Sequence, residues 1–279
     1  MYNRLTSSWC WLFLVMTVFC FVSLSYADYK DWIEAFNDGN YETALKKLRP
    51  MAKEGDHRVQ NFLGMAYAMG KGVPQDYDEA LRWFRLAAEQ GNAVAQNNMG
   101  VMYQKALGVS QDYEEALKWY RLAAQRGYAV GQNNLGAMYT LGQGVPQDYE
   151  EALKWYHLAA KQGEAGAQYN LGVAYERGQG VSQDYVEAVR WFRLAADQGY
   201  AKGQYTLGVF YLSGTGLPQD YILAHMWLTL AGSNGMQDAF EIRNTLEQKM
   251  TIDQISEAQR LERERGVGES RGAWERKGV

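Results

Sequence analysis

Few side chains in this sequence could carry chemistry, and their spacing argues against most of it. There are three histidines, His57, His157 and His225. No H-E-x-x-H helix pair and no neighbouring cysteine accompanies them, so a metal set is not expected. The two cysteines, Cys10 and Cys20, both lie in an apolar N-terminal stretch. Turns such as Gly70-Lys71-Gly72-Val73 resemble phosphate-binding loops only superficially. They lack the preceding strand and the Lys-Ser/Thr ending that cradle a nucleotide. Trp83, Trp119, Trp155, Trp191 and Trp227 could form a stacking platform for sugars or bases. Asp76, Asp112, Asp148 and Asp184 each have a glutamate three residues on, which is the spacing of a helix cap rather than of a hydrolytic carboxylate pair. No catalytic residue, cofactor or metal site is therefore expected, and the chain reads as a non-enzyme.

What positions these residues is a repeat. Gly64, Gly100, Gly136, Gly172 and Gly208 are spaced 36 apart, as are Tyr67, Tyr103, Tyr139, Tyr175 and Tyr211. The five tryptophans and Asp76, Asp112, Asp148, Asp184 and Asp220 keep the same step. Self-similarity at such a period marks stacked supersecondary units. A residue present in every copy is most simply structural, because a site needs to be made only once. The tryptophans, in register with Ala80, Ala87 and Ala88, read as core packing.

Each copy reads as two helices. The first, near Arg58 to Met69, carries Leu63, Ala66 and Tyr67 at helical spacing. Gly64 sits in its middle, at a cost of about 1 kcal/mol relative to Ala, which makes sense if another helix crosses close by. The Gly-x-Gly turn ends this helix, although the second copy has Ala106 in place of the first glycine. Asp76 opens the second helix as N-cap, with Glu79 completing a capping-box pattern. In the fifth copy Leu223 replaces that glutamate.

The string LG-x-x-Y…G-x-G-V-x-x-D-Y-x-x-A-x-x-W-[FY]-x-x-A-A-x-x-G resembles the Sel-one-like repeat, a relative of the tetratricopeptide repeat, over about residues 56–235. The resemblance implies an all-α fold, a right-handed α-solenoid of 36-residue helix–turn–helix repeats, serving as a protein–protein interaction scaffold. A cysteine-rich branch of that family is linked to β-lactam binding; nothing of it carries over to a repeat region without cysteine.

The ends depart from the repeat, as capping units do. Residues 28–55 read as a shortened helix pair with Pro50 expected to kink its second member. Residues 236–265 read as two capping helices, the second opened by Thr251-x-x-Gln254, and residues 266–279 as a flexible tail. Residues 1–27 have the three parts of a signal peptide: Arg4, the apolar run Trp9 to Val22, and Ser25-Tyr26-Ala27 before a cut at Asp28. A periplasmic or secreted protein, no longer membrane-spanning after cleavage and free of cysteine, is expected. Net charge is −4, so no basic face for nucleic acid is indicated.

The variable face of the first helices is the candidate site. In a superhelix these helices turn inward and make a concave surface. Asn61, Asn97 and Asn133, followed by Tyr169 and Tyr205, stand on it, with Val101, Gln104 and Glu176 beside them. Amides at a regular rise could pair with an extended peptide backbone, and tyrosines offer amphipathic contact. The alternative for the asparagines is that they join neighbouring helices. The expected partner is a protein or peptide; a cell-wall or other glycan, stacked on the tyrosines, is the second possibility.

Overall fold

The computed structural model describes residues 34–36 and 38–276, which among themselves form helices and turns and no strand. The expected signal segment and its cut after Ala27 lie outside the described residues. The chain divides into two compact units that meet in sequence between Asp112 and Tyr113. The first unit holds α1 (Tyr41–Lys53), α2 (His57–Met69), α3 (Tyr77–Glu89) and α4 (Ala93–Lys105). The second begins with α5 (Tyr113–Gln125), α6 (Ala129–Leu141), α7 (Tyr149–Lys161), α8 (Ala165–Arg177) and α9 (Tyr185–Asp197). It continues through α10 (Ala201–Ser213), α11 (Tyr221–Ser233), α12 (Asp238–Glu247) and α13 (Ile252–Arg276). α1 to α11 are each 13 residues long, so the repeat is regular in structure as well as in sequence.

Caps and turns set that regularity. The carboxylates of Asp76, Asp148, Asp184 and Asp220 accept the first free backbone N–H groups of α3, α7, α9 and α11. The reciprocal half of the expected capping box is not used at Asp76. Its own N–H already donates to the Tyr67 carbonyl at 3.0 Å, so Glu79 turns along the helix to Arg82 instead. Asp148, Asp184 and Asp220 donate in the same way to Tyr139, Tyr175 and Tyr211. A complete box does form at α13, where Thr251 and Gln254 exchange both bonds. The residue after α2, α6, α8 and α10 is a glycine in the left-handed region. Ala106 takes the same conformation after α4, with φ 56°, at the strain a Cβ brings there.

The mid-helix glycines are where paired helices meet. A Cβ on Gly64 would lie 2.5 Å from the Phe84 ring, and one on Gly172 2.5 Å from Phe192. Gly136 faces Tyr156 and Gly208 faces Leu228 in the same manner. The large residue that fills each core is therefore the one after the tryptophan. Tyr120 and Phe192 are fully buried, whereas Trp119, Trp155 and Trp191 are only half-buried. The expected tryptophan core holds in full for Trp83 and Trp227 alone. Trp191 packs instead against the Leu153–Tyr156 cluster of the preceding repeat.

Among the described residues, the repeats are flanked by helices on both sides. α1 continues through Pro50 to Lys53, with the Pro50 carbonyl accepting from Glu54. α12 covers the end of α11, where Phe240 fills the space left by Gly232. α13 runs to Arg276, well past the expected tail boundary at Gly266. Glycine weakens a helix without ending it, and no proline interrupts this stretch.

Candidate binding surface

The first helix of each repeat buries one side and leaves another half-open. On the buried side a glutamine recurs: Gln60, Gln96, Gln132, Gln168 and Gln204 are each 5% exposed or less. Gln60 donates to the Ala52 carbonyl, and Gln96, Gln132 and Gln204 repeat the bond to Ala88, Ala124 and Ala196. The side-chain oxygens of Gln60, Gln132, Gln168 and Gln204 accept in turn from Gln90, Gln162, Gln198 and Asn234. Gln60, Gln132 and Gln204 are thus satisfied at both ends, while the buried Gln96 oxygen has no partner among the described residues; a glutamine kept in this place in every copy is structural. Its signal, glutamine in register every 36 residues, was available in the sequence beside the glycines and tyrosines.

In the first unit, Asn61 is half-buried and its Oδ1 accepts from the Asn98 amide at 3.1 Å. Asn97 is buried, at 6% exposed. Val101 and Gln104 are half-buried. In the second unit, the Asn133 Oδ1 accepts from the Asn170 amide at 2.9 Å. The asparagine thirty-seven positions on thus reaches back across the gap between consecutive first helices. Asn61 and Asn133 join helix to helix, and their oxygens are committed within the protein.

The tyrosines are braced from behind. Tyr169 lies 5.5 Å from both the Phe192 and Tyr200 rings. Burial raises the Tyr200 pKa, with a further rise from Tyr169 and Glu164. Tyr205 and Val209 pack on the Leu228 cluster and remain half-exposed. Thr140 bonds the Gly136 carbonyl and the Tyr156 hydroxyl, both at 3.0 Å; burial pushes the Tyr156 phenol up to about 12. Glu176 is half-exposed.

Ala137, Val173 and Val209 therefore form a small apolar stripe on α6, α8 and α10, flanked by Tyr169, Tyr205 and Glu176. Along the face positions of these three helices the only ionisable groups besides the two tyrosines are Glu176 and Lys202. The surface suits an uncharged segment rather than an ion.

Each histidine has a local role. His57 Nδ1 meets the Asn92 amide at 3.0 Å. His157 packs edge-on to Trp191 and has its pKa lowered by burial. His225 is 2% exposed, with Nε2 2.7 Å from Glu247. The residues in 36-residue register with His157 do otherwise: Arg85, Arg121 and Arg193 each donate to a tyrosine hydroxyl eighteen residues on. Among the described residues, no group of three or more His, Cys, Asp and Glu could hold a metal ion. Among the same residues no helix is long and apolar enough to cross a membrane.

A family description, Sel1 repeat, matches residues 57–92, 93–128, 129–164, 165–200 and 201–236. A solved Sel1 repeat protein from Oxalobacter formigenes is 33% identical, with TM-score 0.70 over 77% of this chain and 86% of that one. A protective antigen of uropathogenic Escherichia coli strains, displaying an SLR fold, is 31% identical with TM-score 0.51. That likeness covers 85% of this chain and 59% of the antigen, so the chain spans less than two-thirds of the antigen's length. An immunity protein from Pseudomonas aeruginosa shares the fold at 21% identity and TM-score 0.51, over 71% of this chain and 75% of that one. No curated protein matches the sequence.

Proposed function

The chain belongs to the Sel1 repeat family, whose members generally serve as non-catalytic protein-interaction scaffolds, and on that premise we propose that it holds an extended segment of a partner protein on the first-helix face of α6, α8 and α10. The observation that supports this reading is the stripe of Ala137, Val173 and Val209, half-exposed and nearly free of charge. Packed helices lie about 8–10 Å apart, and an extended chain rises about 3.3 Å per residue. A bound segment would therefore advance about three residues per helix and set one apolar side chain on the stripe at each step. Tyr169 and Tyr205 supply rigid amphipathic contact beside it. The N-terminal segment supports action in the periplasm or outside the cell, and sequencing the N-terminus of the protein from cells tests the cut before Asp28.

The binding face is tested by capture from an envelope extract with the full chain. Val173→Arg and Ala137→Arg each place a charge on the stripe, and capture of a protein partner should fall about tenfold or more while the melting curve holds. Unchanged capture by both variants sinks the reading. Retention of glycan in place of protein, lost on Tyr205→Ala, moves the site to sugar stacking.

A further inference from the structure

A repeat protein carries its own control, because a feature made once is not required by the repeat. One such feature is a cavity of about 460 Å³ where α13 crosses the outer side of α9, α10 and α11. In earlier repeats this side is polar: Glu151 pairs with Lys154 and Glu187 with Arg190 on α7 and α9. On α11 the same positions are Leu223 and Met226, and with Trp227 they form an apolar wall. Leu261 closes it from α13. The covering helix does not fill the space it encloses.

The polar rim is unequal. Arg265 stacks over Trp227 at 4.3 Å and is neutralised by Asp197 at 2.5 Å. Glu264 is neutralised by Arg260 at 2.5 Å. Arg193 donates only to the neutral Tyr211 hydroxyl, at 2.7 Å. Its charge has no acid partner among the described residues, and it stands at the mouth of an apolar cavity. A guanidinium in that position recognises a carboxylate, and the wall behind it recognises an apolar group attached to that carboxylate.

We propose that this cavity binds a monocarboxylate carried on an apolar group, the free C-terminus of a peptide ending in a hydrophobic residue, with Arg193 on the carboxylate and Leu223, Met226 and Trp227 around the side chain. The site is built mainly from α9, α11 and α13 and shares no residue with the stripe of Ala137, Val173 and Val209. A free organic acid has the same chemistry, so the test separates the two.

Calorimetric titration of the full chain uses three probes: a short peptide ending in phenylalanine, its C-terminal amide, and 3-phenylpropanoate. The free-acid peptide should bind, and the amide should bind about tenfold or more weaker, as expected for a lost charge-assisted bond. Arg193→Gln should weaken the acid to the level of the amide and abolish the difference between them. Arg121→Gln is the control: Arg121 makes the same bond to Tyr139, at 3.2 Å, outside this cavity. It should leave binding unchanged while incurring the same structural cost. If 3-phenylpropanoate matches the peptide, the ligand is a free acid and the site stands. Equal binding of acid and amide, no binding of any probe, or equal loss in both arginine variants overturns it.

Discussion

The second helices of the fourth and fifth repeats, α9 and α11, occupy equivalent places and bury different faces. On α9, Glu187 and Arg190 pair in solvent, Trp191 is half-buried and Leu194 is 47% exposed. On α11 the same positions are Leu223, Met226, Trp227 and Leu230, and Trp227 and Leu230 are 2% and 6% exposed. The backbone course is common to both; what differs is the cover on the outer side, where α13 lies over the apolar wall of α11 but leaves Glu187 and Arg190 of α9 in solvent. An inner repeat must satisfy two flanking repeats and nothing outside. The terminal repeat must satisfy one flanking repeat and a returning helix. The amphipathic moment of a helix thus records how many neighbours it has.

The tryptophans give the largest expected contrast. Trp227→Ala should cost about 3–5 kcal/mol, the usual range for a buried large-to-small change, because it removes a ring packed on Val189 and Phe192 and the seat of Arg265. Trp155→Ala should cost less than half as much, since its ring is half-exposed and its indole N–H loses only the bond to Glu151. Chemical denaturation of the two variants measures the gap. Equal costs would mean that α13 adds nothing to the burial of Trp227.

The repeat was legible because period is a global signal. Glycine, tyrosine, aspartate and tryptophan in register located both helices of a copy to within about a residue. The partition of burial within a helix was less legible. Trp155 and Tyr156 are adjacent aromatics, and 100° of helical rotation separates a half-exposed residue from a core one. The capping box at Asp76 failed because a contact distant in sequence, the Tyr67 carbonyl, already held the N–H that Glu79 would have taken. The asparagine face showed its helical placement but not its bonding. Asn98 and Asn170 stand one residue away from the face positions, and only the spacing between helices tells that they reach back to Asn61 and Asn133.

A middle-sized contrast lies in the glycines. Gly172→Ala sets a methyl 2.5 Å from the flat Phe192 ring, whereas Gly208→Ala sets one 2.9 Å from the branched end of Leu228. Overpacking costs about 1–3 kcal/mol, offset by the roughly 1 kcal/mol that alanine gains in a helix. The fourth repeat should therefore be destabilised by about 1–2 kcal/mol and the fifth left close to neutral. Phe192→Leu added to Gly172→Ala should recover part of the loss, since it copies the fifth repeat. Failure of that rescue, with both glycine variants equally unstable, would show that backbone approach rather than ring shape sets the limit.

The smallest expected effect concerns the amide bond between first helices. Asn170 donates to Asn133, but one repeat later Thr206 and Tyr169 occupy the equivalent places and the pair is absent from that step. Asn170→Ala removes one neutral hydrogen bond, with about 0.5–1.5 kcal/mol at stake. Both partners are half-exposed, so water re-solvates the Asn133 oxygen and the cost should fall at the lower end. Thr206→Ala should change stability less still, because its column partner is a tyrosine ring rather than an amide. Thermal melts of the two single variants resolve this if Asn170→Ala shifts the midpoint and Thr206→Ala does not. A large loss at Asn170, above about 2 kcal/mol, would mean that water does not reach the Asn133 oxygen. The first-helix face would then be tighter than a bound segment requires, and the stripe of Ala137 and Val173 would lose its access. A loss near zero would leave the asparagine amides free to turn toward a ligand.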